Sequence, residues 1–124
     1  MDIKWALTGE APHRFLYVSY RGETPGNLHS LAVVECSEIS YKPGLVGHFY
    51  INRIIVPPQM RNQGVGTTLM NFLLVAAEEH KLTFYVDPTS NYGSEVTRLT
   101  RFFARFGFVT STNKEPLGKM VRRV

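Results

Sequence analysis

The segment from Val56 to Met70, VPPQMRNQGVGTTLM, constrains this chain more than any other. It follows a run of strand formers, His48 to Val56. Pro57-Pro58 ends that run, because proline cannot donate to a strand ladder. A polar stretch then leads to Gly64 and Gly66. From about Gly64 to His80, Val65, Leu69, Phe72, Leu73 and Ala76 recur at helical spacing. Met70, Leu74 and Val75 make the other side largely apolar too, so this helix is expected to be buried on more than one side. A strand, a turn and a helix opening at two glycines point to an α/β layout.

The first amides of a helix lack intrahelical acceptors, point outward together and carry the positive end of the helix dipole. Such an end suits an anion of the pyrophosphate type. Gly64 and Gly66 let oxygen atoms reach the backbone with no Cβ between them. Thr67 and Thr68 add hydroxyl donors and Arg61 adds charge. A P-loop would need Lys followed by Ser or Thr after the second glycine, and Thr67-Thr68 does not supply it. A dinucleotide fingerprint would need a third glycine where Leu69 stands.

Around this segment the chain reads as alternating short elements. Phe15 to Tyr20 alternates apolar and polar residues as a strand does. Gly22 to Asn27 reads as a turn, Leu31 to Ile39 as a second strand, and Lys42-Pro43-Gly44 as a tight reversal. After the helix, Leu82 to Val86 is a compact apolar strand and Asp87 to Gly93 a loop. Ser94 is the expected N-cap of a second helix with Glu95 in its first turn, running to about Phe106. Leu99, Phe102, Phe103 and Phe106 form its apolar stripe, Arg98, Arg101 and Arg105 a separate stripe, and Gly107 its stop. Phe108 to Ser111 and Lys119 to Val124 read as a closing strand pair. The expected fold is a mixed, mostly antiparallel sheet with helices packed on its faces, formed by residues 1–124 as one domain. The strand–helix–strand unit over 48–86 is expected to cross over right-handed between parallel strands.

Charge is unevenly placed. Residues 98–124 hold seven of the 14 Lys and Arg and one acid, while residues 1–97 hold seven bases and nine acids. The basic end suits an anionic ligand, with a polyphosphate cofactor and nucleic acid as two candidates and a solvated face as the plain alternative. No apolar run is long enough to span a bilayer, and Met1 to Ala6 lacks the pattern of a signal peptide. Together with a single cysteine, Cys36, this leads to the expectation of a cytoplasmic protein without membrane contact. Cys36 lies in an apolar run and reads as a buried, inert thiol. His13, His29, His48 and His80 are dispersed and no Cys or Asp spacing joins them, so no metal site is expected.

Arg61-Asn62-Gln63-Gly64-Val65-Gly66 resembles the Arg/Gln-x-x-Gly-x-Gly/Ala loop of the GNAT superfamily of N-acetyltransferases. Val56 and Pro58 fall where that family often has valine and proline, and Phe103 to Phe108 resembles its Tyr-x-x-x-Gly-Phe ending of the next helix. The resemblance covers about Gly47 to Val124. It implies a V-shaped splay between the strands ending at Val56 and Val86. Acetyl-CoA would lie there as cosubstrate, its pantetheine paired with backbone at Ile54, Ile55 and Val56 like an added strand. Its diphosphate would sit on Arg61, Asn62, Gln63, Gly64, Val65, Gly66, Thr67 and Thr68. Three positions depart from the family. The two helices common between its first and second strands have no room at Gly22 to Ser30. Phe103, counted with the cofactor site, stands where a proton-donating Tyr is frequent. Val96 stands where Asn is common.

The implied reaction is direct attack of an amine, on a protein or a small molecule, upon the thioester, with a backbone N–H near Val56 facing the oxyanion. His48 and Tyr50 alternate along one face of the strand entering the site, and His48 is the first candidate base. Glu95 is the second, and Tyr92 is the nearest replacement for the missing acid. A silent acyl-CoA-binding module and a nucleic-acid-binding protein are the rival classes, and a homodimer is left open.

Overall fold

The computed structural model describes residues 2–24, 28–40, 44–61, 64–88, 95–111 and 119–123. Seven strands form one sheet: β1 (Asp2–Thr8), β2 (Phe15–Thr24), β3 (Leu28–Glu38), β4 (His48–Ile55), β5 (Thr83–Val86), β6 (Val109–Thr110) and β7 (Met120–Arg122), in spatial order β1-β2-β3-β4-β5-β7-β6. Among the described residues two helices, α1 (Val65–His80) and α2 (Val96–Ala104), follow β4 and β5, and a 3-10 turn covers Pro58–Met60. Of the pairings among the described residues, only that of β4 with β5 is parallel, as expected of strands joined through α1; every other pairing is antiparallel.

Leu16, Val18, Ala32, Val34, Phe49, Ile51, Phe84 and Val86 alternate onto one sheet face. Val65, Leu69, Leu73 and Ala76 of α1 and Leu99 and Phe103 of α2 fill the same core. Cys36 is fully buried in it, and burial, with the Glu35 charge, pushes its thiol far above its ordinary range. The opposite face carries a small cluster of Ile39, Tyr85 and Val121, flanked by Leu45 and Tyr50. Among the described residues no helix covers that face, and Phe15, Leu31 and Ile55 are 45%, 49% and 40% exposed.

Several sequence-based expectations are corrected. β1 was not anticipated, although Ile3, Trp5 and Leu7 alternate inward and pack against the core. Gly22 lies inside β2 rather than in a turn, where a Cβ would stand 3.3 Å from Cε of Met60 and 3.2 Å from the Tyr20 ring. Glu23 and Thr24 of that expected turn also belong to β2, while Pro25, Gly26 and Asn27, and Lys42 and Pro43 of the next turn, lie outside the described residues. Helix α2 ends at Ala104 instead of Phe106, and its N-cap is Glu95, so that residue precedes the first turn. Ser94, the expected cap, lies outside the described residues.

One irregularity shapes the centre. Cys36 pairs with Ile51, but the next residue on β3, Glu35, pairs with Arg53. β4 therefore carries one extra residue, a bulge at Asn52 and Arg53. The bulge reverses the alternation: Phe49 and Ile51 face the core before it, and Ile54 and Val56 pack against the core after it. Asn52 and Arg53 both remain on the surface, Asn52 bonded to Ser37 and Arg53 paired with Glu35.

Candidate active site

β4 and β5 pair over only three residue pairs, His48–Thr83, Phe49–Phe84 and Tyr50–Tyr85. Among the described residues the β4–β5 ladder stops at Tyr50, β4 runs on to Ile55 laddered with β3, and β5 ends at Val86. The strands part at the point where the bulge bends β4, and from Asn52 to Ile55 no ladder joins β4 to β5 among the described residues. Ile54 and Val56 turn inward here and Ile55 stands out.

The loop closing this opening is fixed at both ends. Arg61 Nε donates to the carbonyl of Val56 at 3.0 Å and its amide to Pro58 at 3.3 Å. Arg61 thus ties the loop back to the strand it leaves, while its side chain remains exposed. Gly64 caps α1 in the left-handed region (φ 74°), which glycine alone enters without steric cost, and no side chain caps the helix there. No acid stands in the first turn. The Thr68 hydroxyl turns back to donate to the Gly64 carbonyl at 3.0 Å, and Thr67 is exposed. A Cβ on Gly64 would meet nothing within 4 Å, and one on Gly66 would sit 3.6 Å from the Phe102 ring. The opening of α1 is therefore uncapped by any side chain, free of negative charge and bare of side-chain bulk at two positions. These are the properties an anion-binding helix start requires. Val65 is buried in the core and anchors this turn. Asn62 and Gln63 lie outside the described residues.

On the face away from the helices, polar side chains gather beside the parting strands. His48 Nδ1 shares a hydrogen bond with the Tyr85 hydroxyl at 2.8 Å, and the two rings stack at 5.7 Å. Burial, and then the charge of Arg123, lowers the His48 pKa, so the imidazole is neutral near pH 7. The Tyr50 hydroxyl donates to Asp87 Oδ2 at 2.9 Å, bridging from β4 to the end of β5. Tyr50 and His48 share a face, as their spacing implies. Glu95 is exposed at the start of α2 and makes no capping bond. Tyr92 lies outside the described residues.

Phe103 is fully buried, its ring edge-on to Phe102 and Phe108 at 5.4 and 5.5 Å. As a residue expected at the cofactor site it is corrected here: its surface is spent on the core. Arg98, Arg101 and Arg105 stand exposed along α2, with Arg105 5.4 Å above the Phe102 ring. Among the described residues no three His, Cys, Asp or Glu gather to hold a metal ion, and no helix is long and apolar enough to cross a membrane.

Two elements of the site escaped sequence reasoning. The first is the bulge, whose signal was the shift of inward apolar residues from odd positions (Phe49, Ile51) to even ones (Ile54, Val56). The second is Asp87, which the sequence presents only as the first residue of a loop.

The acetyltransferase (GNAT) family profile matches residues 2–108. Among curated proteins nothing matches the sequence. Among solved structures, the anti-CRISPR protein AcrVA5 is similar, with a TM-score of 0.51 and 18% identity over 83% of this chain and 95% of that one. At that identity the likeness is one of fold.

Proposed function

The chain belongs to the GNAT family of acetyltransferases, and from that premise we propose that it transfers an acetyl group from acetyl-CoA to a primary amine of a protein or small molecule. The observation that carries the reading is the uncapped start of α1 at Gly64–Thr67, set beside the stretch of β4 that no ladder joins to β5 among the described residues. Family membership supplies acetyl-CoA as cosubstrate, and the chain's own atoms fit it. The amides of the first helical turn offer donors to a diphosphate, and Arg61 and Thr67 stand exposed beside them. The backbone of Ile54, Ile55 and Val56 offers strand-type pairing to an extended pantetheine arm.

When bound, acetyl-CoA brings an activated thioester, which an amine attacks directly. The protein's tasks are to align it, to receive the amine in its neutral form and to take up a proton. His48, neutral and linked to Tyr85, is the assigned base, with Glu95 as the alternative at the start of α2. Tyr50 faces the same side and orients Asp87. Tyr92 remains the assigned acid for the departing thiolate. A cytoplasmic setting belongs to the same proposal and is supported by the single cysteine and the short apolar runs.

Gly66→Ala separates this reading from a helix start with no ligand. Its Cβ makes only ordinary contact with Phe102, and alanine favours a helix by up to about 1 kcal/mol over glycine. The variant is therefore expected to melt no lower than the parent yet to bind acetyl-CoA about tenfold or more weakly by calorimetry, a loss of about 1.4 kcal/mol. Absence of acetyl-CoA uptake by the unaltered protein sinks the proposal. Uptake without thiol release, across a panel of amines, reduces it to a binding module.

A further inference from the structure

We infer that the exposed arginines of α2 (Arg98, Arg101 and its C-cap Arg105) form a second working surface, one that docks on the phosphate backbone of a nucleic acid without reading its sequence. Positions three and seven residues apart fall on one side of a helix, and Arg105 keeps helical angles, so the three side chains share a stripe. All three are exposed. Among the described residues none of them pairs with a carboxylate, whereas Arg14, Arg53 and Arg122 face Glu38, Glu35 and Glu78. The helix dipole favours Arg101 and Arg105 near the end of α2, but Arg98 stands in the first turn, where a cation is disfavoured. Helix stability therefore does not account for the stripe.

The chemistry favours phosphate over a folded protein partner. A protein interface needs an apolar or aromatic centre, yet the exposed residues beside the stripe are Thr97 and Ala104. Val96, the exposed large apolar residue of α2, lies about 160° round the axis from Arg98. Phe102 and Phe106 pack against the core. Nucleic-acid interfaces are instead polar and strongly positive. The planar fork of arginine bonds phosphate oxygens in pairs. Arg105 lies over the Phe102 ring at 5.4 Å, a stacking that leaves its N–H groups free along the guanidinium edge. From Arg98 to Arg105 the helix rises about 10 Å, and one strand of a duplex presents a phosphate about every 3.4 Å along its axis, so three arginines can meet three successive phosphates. The stripe opens the segment 98–124, which carries seven Lys and Arg against one acid, so the wider field also draws a polyanion.

A fluorescein-labelled duplex DNA of about 20 base pairs and mixed sequence is the probe, followed by anisotropy from about 50 to about 200 mM salt. Three phosphate contacts predict an affinity that falls at least about 40-fold over that range. Arg101→Gln should take about one contact from the salt slope, and replacing all three arginines by glutamine should weaken binding about tenfold or more at the lower salt. Replacing all three by lysine keeps the charge and should hold the affinity within about threefold. Lys4→Gln combined with Arg21→Gln, exposed on the face away from the helices, should leave it at the parental value. Melting temperatures of the same samples should match the parent's, and Arg101→Gln keeps the test decisive if the triple variant does not fold. The proposal is overturned if the unaltered protein does not bind at the lower salt, if the Lys4 and Arg21 pair costs as much as the stripe, or if polyglutamate of matching charge competes as well as unlabelled duplex. Saturating acetyl-CoA should leave the DNA affinity within about twofold, and displacement would assign the arginines to the cofactor and overturn the proposal as well. Failure here leaves the transferase reading standing, because acetyl-CoA uptake is measured separately.

Discussion

The junction of three strands at Glu38 offers the sharpest quantitative test of this fold. Glu38 closes β3, Arg14 stands just before β2 and Gly47 just before β4. The Glu38 side chain is fully buried and Arg14's is 20% exposed. Oε1 accepts from the Arg14 amide at 3.2 Å and its Nε at 2.9 Å, and Oε2 accepts from Arg14 Nη2 and the Gly47 amide, both at 2.7 Å. Burial alone would raise the carboxyl's pKa, but the Arg14 side chain, the Gly47 and Arg14 amides and the Arg14 charge outweigh it and hold the pKa below the ordinary range. Glu38→Ala would strand a largely buried guanidinium and two amides. Removing one partner of a buried pair costs about 3–5 kcal/mol, and the partial exposure of Arg14 trims this to about 2–4 kcal/mol. For a chain of this size that is roughly 8–15 °C in Tm. Glu38→Gln presents one acceptor oxygen to four donors and should recover less than half of the loss. Because the folded pKa lies below the unfolded value of about 4.3, the contribution is complete above that value and disappears as pH falls through the lower one. Urea titrations of parent and Glu38→Gln at pH 7, 5 and 3 check this: the gap should hold from pH 7 to 5 and narrow at pH 3. A Glu38→Ala variant within 0.5 kcal/mol of the parent (roughly the scatter of surface substitutions), or a gap unchanged at pH 3, refutes the reasoning.

Three further outcomes are expected. Lys81 ends α1 in the left-handed region at φ 56°, so Lys81→Gly should stabilise the protein by about 0.5–1 kcal/mol in urea unfolding; a loss of stability would contradict the assigned strain. The His48 ring, followed by NMR, should titrate below the ordinary imidazole value of about 6.5, and stability should fall as pH drops through that value because the unfolded chain takes the proton first. His48→Gln should remove that slope, and a midpoint above the ordinary value would reverse the argument. Cys36 should resist a thiol-specific reagent in the native protein and react once urea unfolds it, since burial withholds the thiolate; rapid native modification would place it elsewhere.

Much of the fold was legible because binary patterning and punctuation agree along most of the chain. Pro57-Pro58 ends β4, Gly64 opens α1, and the α1 stripe that begins at Val65 and Leu69 lies in the core. β1 was overlooked because Ile3, Trp5 and Leu7 are only three apolar residues beside the chain end, and pairing with β2 decides what so short a pattern alone does not. Gly22 reads locally as a turn former, but its lack of a Cβ serves the close approach of Met60 within a strand. The loop chemistry was visible because backbone amides and glycines are written directly in sequence. The partners of Tyr50 and His48 were not, since Asp87 and Tyr85 lie across a parallel rung 37 residues away.

The seam between β4 and β5 also bears on how the chain assembles. β1 to β4 form a meander whose neighbours in sequence are neighbours in space, so each strand adds to the last by closing a short loop. The three rungs of the seam join residues 35 apart, and they must await the whole α1 crossover. Loop closure of that length precedes any reward from contact, which makes the docking of β5, and the β7 and β6 that hang upon it, the natural late step. Mutations in β2 and β3 should then slow refolding, whereas those at Phe84 or Val121 should chiefly hasten unfolding. The seam is, on this view, the last part of the sheet to close and the first to let go.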